Sequence, residues 1–144
     1  MPVKIDKPAR FPELDQLDKF EGEWVSGETK EIFKRACDGF CYLADVEAET
    51  SGGLLKGHGI IFFDNSIKKF RLEWYDNFAI HISGEGNYTD ESTFIMIAKY
   101  SRNGSAHIER HTEKLISGIK KIHMIENFTN GEFEKISETT FDRK

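Results

Sequence analysis

The chain has 144 residues and a formal charge of −5, enough for one domain and no second core. The acidic balance excludes the net basic face of a nucleic-acid binder. No apolar run approaches the ~18 residues of a membrane span, and no signal peptide opens the chain. Ile, Leu, Val and Phe make up about 26% of the residues, above the ~20% below which chains stay disordered. Ile and Phe together number 27 against 14 for Leu and Ala, the balance of a sheet protein. The two cysteines, Cys37 and Cys41, form neither a disulfide framework nor a C-x-x-C redox or zinc spacing, so plain thiols in a reducing cytoplasm are expected.

Residues 1–11 read as a polar lead-in, and residues 12–144 as the folded domain. Pro12 opens a short helical turn with Leu14, Leu17 and Phe20 on one face. No proline follows Pro12, which suits an uninterrupted sheet. From Glu23 onward, turn signals recur: Asp38-Gly39, Ser51-Gly52-Gly53, Asn65-Ser66, Asp76-Asn77, Asp90-Glu91, Asn103-Gly104, Ser117-Gly118 and Asn130-Gly131. They separate about nine strands, at 23–34, 39–50, 54–64, 67–75, 78–88, 93–101, 105–115, 119–129 and 132–142. Short connections make neighbours antiparallel, and a twisted sheet of this width closes on itself. The fold class is therefore all-β, an antiparallel up-and-down barrel with a short N-terminal helix.

The faces follow from pairing the hairpins. With a tight turn at Asn65-Ser66, Ile61 faces Phe70, Gly59 faces Leu72 and Gly57 faces Trp74. On the other side Phe62, Ile60 and His58 meet Lys69, Arg71 and Glu73. One face is apolar and the other charged, so the first belongs inside. In the strand at 78–88, Phe78, Ile80, Ile82, Gly84, Gly86 and Tyr88 share the inner face, and His81 lies outside. The last hairpin is mixed: Phe128/Phe133 and Ile125/Ile136 fall on opposite sides if the Asn130-Gly131 turn is tight, with His123 facing Glu138. Orienting it requires a bulge or an outer patch covered by a partner, as in a homodimer.

Phe20-Glu21-Gly22-Glu23-Trp24 reads F-x-G-x-W at the start of the first strand. This resembles the opening of calycin barrels, the lipocalins and fatty-acid-binding proteins. Together with Gly57-His58-Gly59, Phe63-Asp64, Glu73-Trp74-Tyr75-Asp76 and a terminal Thr140-x-x-Arg143, the chain resembles the lipocalin-like domain of unknown function 1579 family over about residues 12–143. The resemblance implies that Arg143 packs over Trp24 and closes one barrel end, a structural pairing. Only a few residues near Lys34 to Gly39 are available where fatty-acid-binding proteins insert a helix pair. Haem-binding nitrobindin-like barrels carry a longer glycine-rich run ending in Tyr-Pro, absent at Val25-Ser26-Gly27-Glu28. No cofactor is expected.

Two alternatives compete for the chemistry. His107, Glu109 and His111 alternate on one strand face and are of metal-ligand type. A two-residue turn at Asn103-Gly104 pairs Met96 with His111 and Ala98 with Glu109 and sends the three inward. A bulged turn pairs Met96 with Arg110 and Ala98 with Ile108 and sends them outward. The bulged register places the more apolar set Ala106, Ile108 and Thr112 inside, and is favoured. Arg110 then points into the barrel, where it would hold a ligand carboxylate or phosphate bidentately. The expected site is accordingly Arg110 with Trp74, Tyr42, Tyr88, Met96, Phe70 and Phe78, and no metal. The expected function is binding of a small hydrophobic or amphipathic molecule in the central cavity, with an acidic head on Arg110, and no nucleic-acid or membrane partner. The alternatives are an enzyme using the same cavity through a His107/Glu109/His111 metal, and a structural barrel with a filled interior.

Overall fold

In a computed structural model, which describes residues 2–144, a 3-10 helix over Pro12–Phe20 leads into ten strands. These are β1 (Gly22–Ser26), β2 (Thr29–Ala36), β3 (Cys41–Thr50), β4 (Gly53–Asp64), β5 (Lys69–Asp76), β6 (His81–Asp90), β7 (Thr93–Arg102), β8 (Ser105–Ser117), β9 (Lys120–Thr129) and β10 (Glu132–Arg143). Each pairs antiparallel with its neighbours in the chain, and β1 pairs with β10 to close the barrel. The tenth strand arises inside 23–34. Gly27, in the left-handed region at φ +55°, turns the chain so that Ser26 pairs with Thr29. Ser26-Gly27 is the same Ser-Gly signal as Ser117-Gly118, and reading 23–34 as one strand passes over it. Among the described residues no helix is long and apolar enough to cross a membrane.

The β4–β5 loop runs over four residues rather than two. Lys68 adopts φ +55°, Asp64 accepts from the Ser66 N–H, and Phe63 pairs with Phe70 and Gly59 with Trp74. A slip of two residues leaves every side chain on its expected face, whereas a slip of one would invert them. The Trp74 indole leans along the strand over Gly57, where a Cβ would lie 1.9 Å from it. Strand β6 begins at His81, so Phe78 is a correction. It sits in the β5–β6 loop, 39% exposed, with its N–H donating to Asp76 Oδ1.

The last hairpin is oriented by a bulge. The register between β9 and β10 shifts between Lys135 and Ser137, leaving Ile136 out of the ladder and 58% exposed. Ile125 then pairs with Ser137, Phe128 with Phe133, and His123 with Thr139 rather than Glu138. One extra residue thus reconciles a hairpin whose two halves read with opposite faces.

One end of the barrel is closed. Leu14, Leu17 and Phe20 of the helix are buried against Phe33, Phe63, Phe70, Phe94 and Met96. Trp24 Nε1 donates to the Phe20 carbonyl at 2.8 Å. Arg143 pairs with Trp24 across β1 and β10, and its guanidinium lies 4.2 Å from the Trp24 ring centre. It also donates to the carbonyls of Glu21, Lys19 and Gly118. The opposite end carries the β1–β2, β3–β4, β5–β6, β7–β8 and β9–β10 connections.

Candidate functional site

The β7–β8 turn decides what lies inside. Asn103 and Gly104 both take positive φ, +51° and +79°, the two-residue turn whose twist matches that of the flanking strands. Met96 therefore pairs with His111 and Ala98 with Glu109. His107, Glu109 and His111 face inward, and the inward placement of Arg110 is corrected. Arg110 lies outside, with Nε and Nη2 donating to the two Glu126 carboxylate oxygens at 2.8 Å each. Its guanidinium sits 4.3 Å from the Phe133 ring centre. The apolarity of Ile108 misleads because the outer face here is itself apolar: Ile97, Ile108, Ile122 and Met124 all face away from the interior, each half-buried.

The inward residues divide into two walls. On β3, β4, β5 and β6 they are Ala44, Val46, Ile61, Leu72, Trp74 and Ile82, all half-buried. Across the ten-strand ring from β3 and β4, β8 and β9 present Glu109, His111, Glu113, Lys121 and His123. Phe70, Met96 and Tyr42 belong to the buried core at the closed end. Tyr42 stacks on Phe33 at 4.7 Å, and its hydroxyl has no hydrogen-bond partner among the described residues. Tyr88 is half-buried and donates from its hydroxyl to the Gln16 carbonyl on the helix. Of the expected ligand-binding residues, then, Trp74 lies on the accessible apolar wall, Tyr42, Phe70, Met96 and Tyr88 line or underlie the closed end, and Phe78 and Arg110 lie outside.

The polar wall is two adjoining groups, Tyr100–Glu109–His111–His123 and Glu31–Lys121–Glu113. Tyr100 donates to Glu109 Oε2 at 3.1 Å, and His111 Nε2 donates to Glu109 Oε1 at 3.0 Å. His111 Nδ1 meets His123 Nε2 at 2.9 Å. His123 Nδ1 lies 3.9 Å from Glu113 Oε1, and Lys121 Nζ, 3.1 Å from Glu113 Oε2, also bonds Glu31 on β2. Lys121 is only 1% exposed and sits over Trp24 and Phe141 at 5.2 and 5.1 Å. Burial opposes its charge, but the two carboxylates outweigh burial and raise its pKa. Burial likewise works against the Glu109 carboxylate, while bonds from His111 and Tyr100 hold its pKa below the usual value. Burial and the Glu109 charge push the Tyr100 hydroxyl up to about 12. Burial, then the neighbouring His111, pulls His123 down to about 3, so it is neutral.

The inner face is not fully packed: Ile61, Leu72, Trp74, Ile82, His111 and His123 point inward yet are only half-buried. Strand number supplies the physical reason: an eight-stranded barrel is just wide enough for side chains or one small ligand, and this barrel has ten.

Chemically the arrangement fixes tautomers: the Glu109 carboxylate holds a proton on His111 Nε2, and the neutral His123 donates from Nε2 to His111 Nδ1. His107 does not join; its ring stacks on Tyr100 at 5.0 Å. Among the described residues no three His, Cys, Asp or Glu side chains converge to hold a metal ion, which corrects the His107/Glu109/His111 alternative.

Sequence reasoning missed Glu31, Glu113, Lys121 and His123. A signal existed: His107, Glu109, His111 and Glu113 share one parity on β8, and Lys121 and His123 share one parity on β9. The remaining histidines are outside. His58 bonds Asp45 at 2.6 Å, and His81 bonds Glu73 at 2.6 Å and stacks on Tyr75. The cysteines are free, Cys37 exposed and Cys41 buried. No protein-family model matches this chain, and no curated protein matches it in sequence.

Proposed function

We propose that the protein is a lipocalin-like binding barrel that takes a small amphipathic molecule through the end opposite the helix. The observation that carries this reading is an inner face left half-buried, with Ile61, Leu72 and Trp74 on the apolar side and His111 and His123 on the polar side. Ligand sites combine a mainly apolar lining with a few placed polar groups. Trp74, Leu72, Ile61 and Ile82 supply the first, and Glu109, His111 and Tyr100 the second. The F-x-G-x-W opening and the Trp24–Arg143 closure support placing the chain with the calycins. Free thiols suit a reducing compartment such as the cytoplasm.

Nile red, a neutral apolar dye, tests the reading. It is expected to bind one per chain, and Leu72→Trp, which fills the cavity from the apolar wall, is expected to abolish binding without loss of the barrel's circular dichroism. Absence of binding, or binding indifferent to Leu72→Trp, rejects it. The hydrogen-bonded pair His111–His123, 2.9 Å apart, favours a second reading, an enzyme performing acid–base chemistry on the molecule held there. Native mass spectrometry of protein from its own source would identify a retained ligand. Conversion of that ligand by the wild type and not by His111→Gln would select the enzyme.

A further inference from the structure

The geometry points to a ligand with a positively charged amine head rather than an acid, an inference that rests on the binding-barrel reading above. The polar wall carries three carboxylates, Glu31, Glu109 and Glu113, and one cation, Lys121. Lys121 is committed to Glu31 and Glu113 together. Of the arginines nearest the wall, Arg110 is outside on Glu126, Arg35 is held by Asp15 and Asp18 beside the closing helix, and Arg143 is spent on backbone carbonyls. Arg102 shares the inward register of β7 but is exposed at its turn end, and counting its charge still leaves three carboxylates against two fixed cations. Even with one imidazolium added the wall has no net positive charge, so a carboxylate or phosphate entering it would be desolvated without a partner.

Hydrogen-bond capacity runs the same way. A carboxylate offers about four lone-pair sites. Glu109, nine-tenths buried, accepts from only His111 and Tyr100, so both its oxygens have room for another donor. Glu113 Oε2 is taken by the Lys121 ammonium at 3.1 Å, whereas Glu113 Oε1 stands 3.9 Å from His123 with no hydrogen bond. The interior is thus rich in acceptors and short of donors. An ammonium brings donors and the missing charge together, in charge-assisted bonds about twice as strong as neutral ones. The opposite wall fixes the rest of the molecule: its body is alkyl or aryl, lying against Trp74, Leu72 and Ile61.

Three probes with the same eight-carbon body separate the outcomes: octylammonium, 1-octanol and octanoate, measured by calorimetry and by the fluorescence of Trp74. The expected order places octylammonium about tenfold or more tighter than octanol, with octanoate weakest. Glu109→Gln is expected to erase most of the preference for octylammonium over octanol. If octanol binds but octylammonium is no tighter, or octanoate is tightest, the amine inference fails and the binding barrel stands. If none of the three binds, the barrel reading itself falls and the inference with it. The wild-type ranking decides the matter even if Glu109→Gln does not fold.

Discussion

Gly57→Ala isolates the contact that shapes the apolar wall. A methyl group there would lie 1.9 Å from Trp74 Cζ2, 2.3 Å from Cη2 and 2.7 Å from Cε2, against the roughly 3.5–4.0 Å at which carbon atoms pack. The indole must swing away, and with it the bond from Nε1 to Asp76 Oδ2 at 3.0 Å. Overpacking costs ~1–3 kcal/mol and the lost hydrogen bond about 1 more, so a loss of about 2–4 kcal/mol is expected. Gly118→Ala is the control, since its added methyl meets nothing within 4 Å. Urea melts followed by circular dichroism measure both in the wild type and in Trp74→Ala. In the Trp74→Ala background most of the Gly57→Ala cost should vanish, a coupling of at least about 1.5 kcal/mol. A Gly57→Ala protein as stable as Gly118→Ala, or an equal cost in both backgrounds, would refute the placement of the indole.

The neutral His123 makes stability depend on pH. Its folded pKa of about 3 lies below the ordinary 6.5, so unfolding takes up a proton between those values. Its contribution is complete above about pH 6.5 and declines on acidification by ~1.4 kcal/mol per unit. His123→Gln should remove one proton's worth of slope between pH 6.5 and 5, and an unchanged slope in urea titrations would contradict the burial. Arg110→Met should leave Nile red binding within about twofold and cost no more than ~1 kcal/mol, because the pair with Glu126 is partly exposed and screened; a large loss of binding would return Arg110 to the cavity. Trp24→Ala should cost ~3–5 kcal/mol, against about 0.5 for the outer His81→Ala, and comparable melts would invert the assignment of faces. Tyr42→Phe removes a hydroxyl with no partner and should be neutral or stabilise by about 1 kcal/mol in thermal melts; a marked loss would mean that the hydroxyl is bonded.

Local chemistry alone carried the barrel. Isoleucine and phenylalanine without proline, punctuated by Asn-Gly and Asp-Gly turns, specify antiparallel neighbours, and a twisted sheet of that many strands closes. The inner faces of β4, β5 and β6 were legible too, because there one face is apolar and the other charged, and even a two-residue error in register preserves the parity. What lies in the cavity was not legible. On β7 to β10 both faces mix apolar and polar residues, so hydrophobic alternation has nothing to choose between. The choice passes to backbone torsions at Asn103 and Gly104 and to one bulged residue, Ile136. Those two local events, differing from their alternatives by a single residue of register, send Arg110 out to Glu126 and bring Glu109, His111 and His123 in. The partners that make such charges tolerable inside, Glu31 on β2 with Lys121 on β9, are 90 residues apart. Only closure of the barrel through β1 and β10 brings them together, because no spacing along the chain encodes a contact between its two ends.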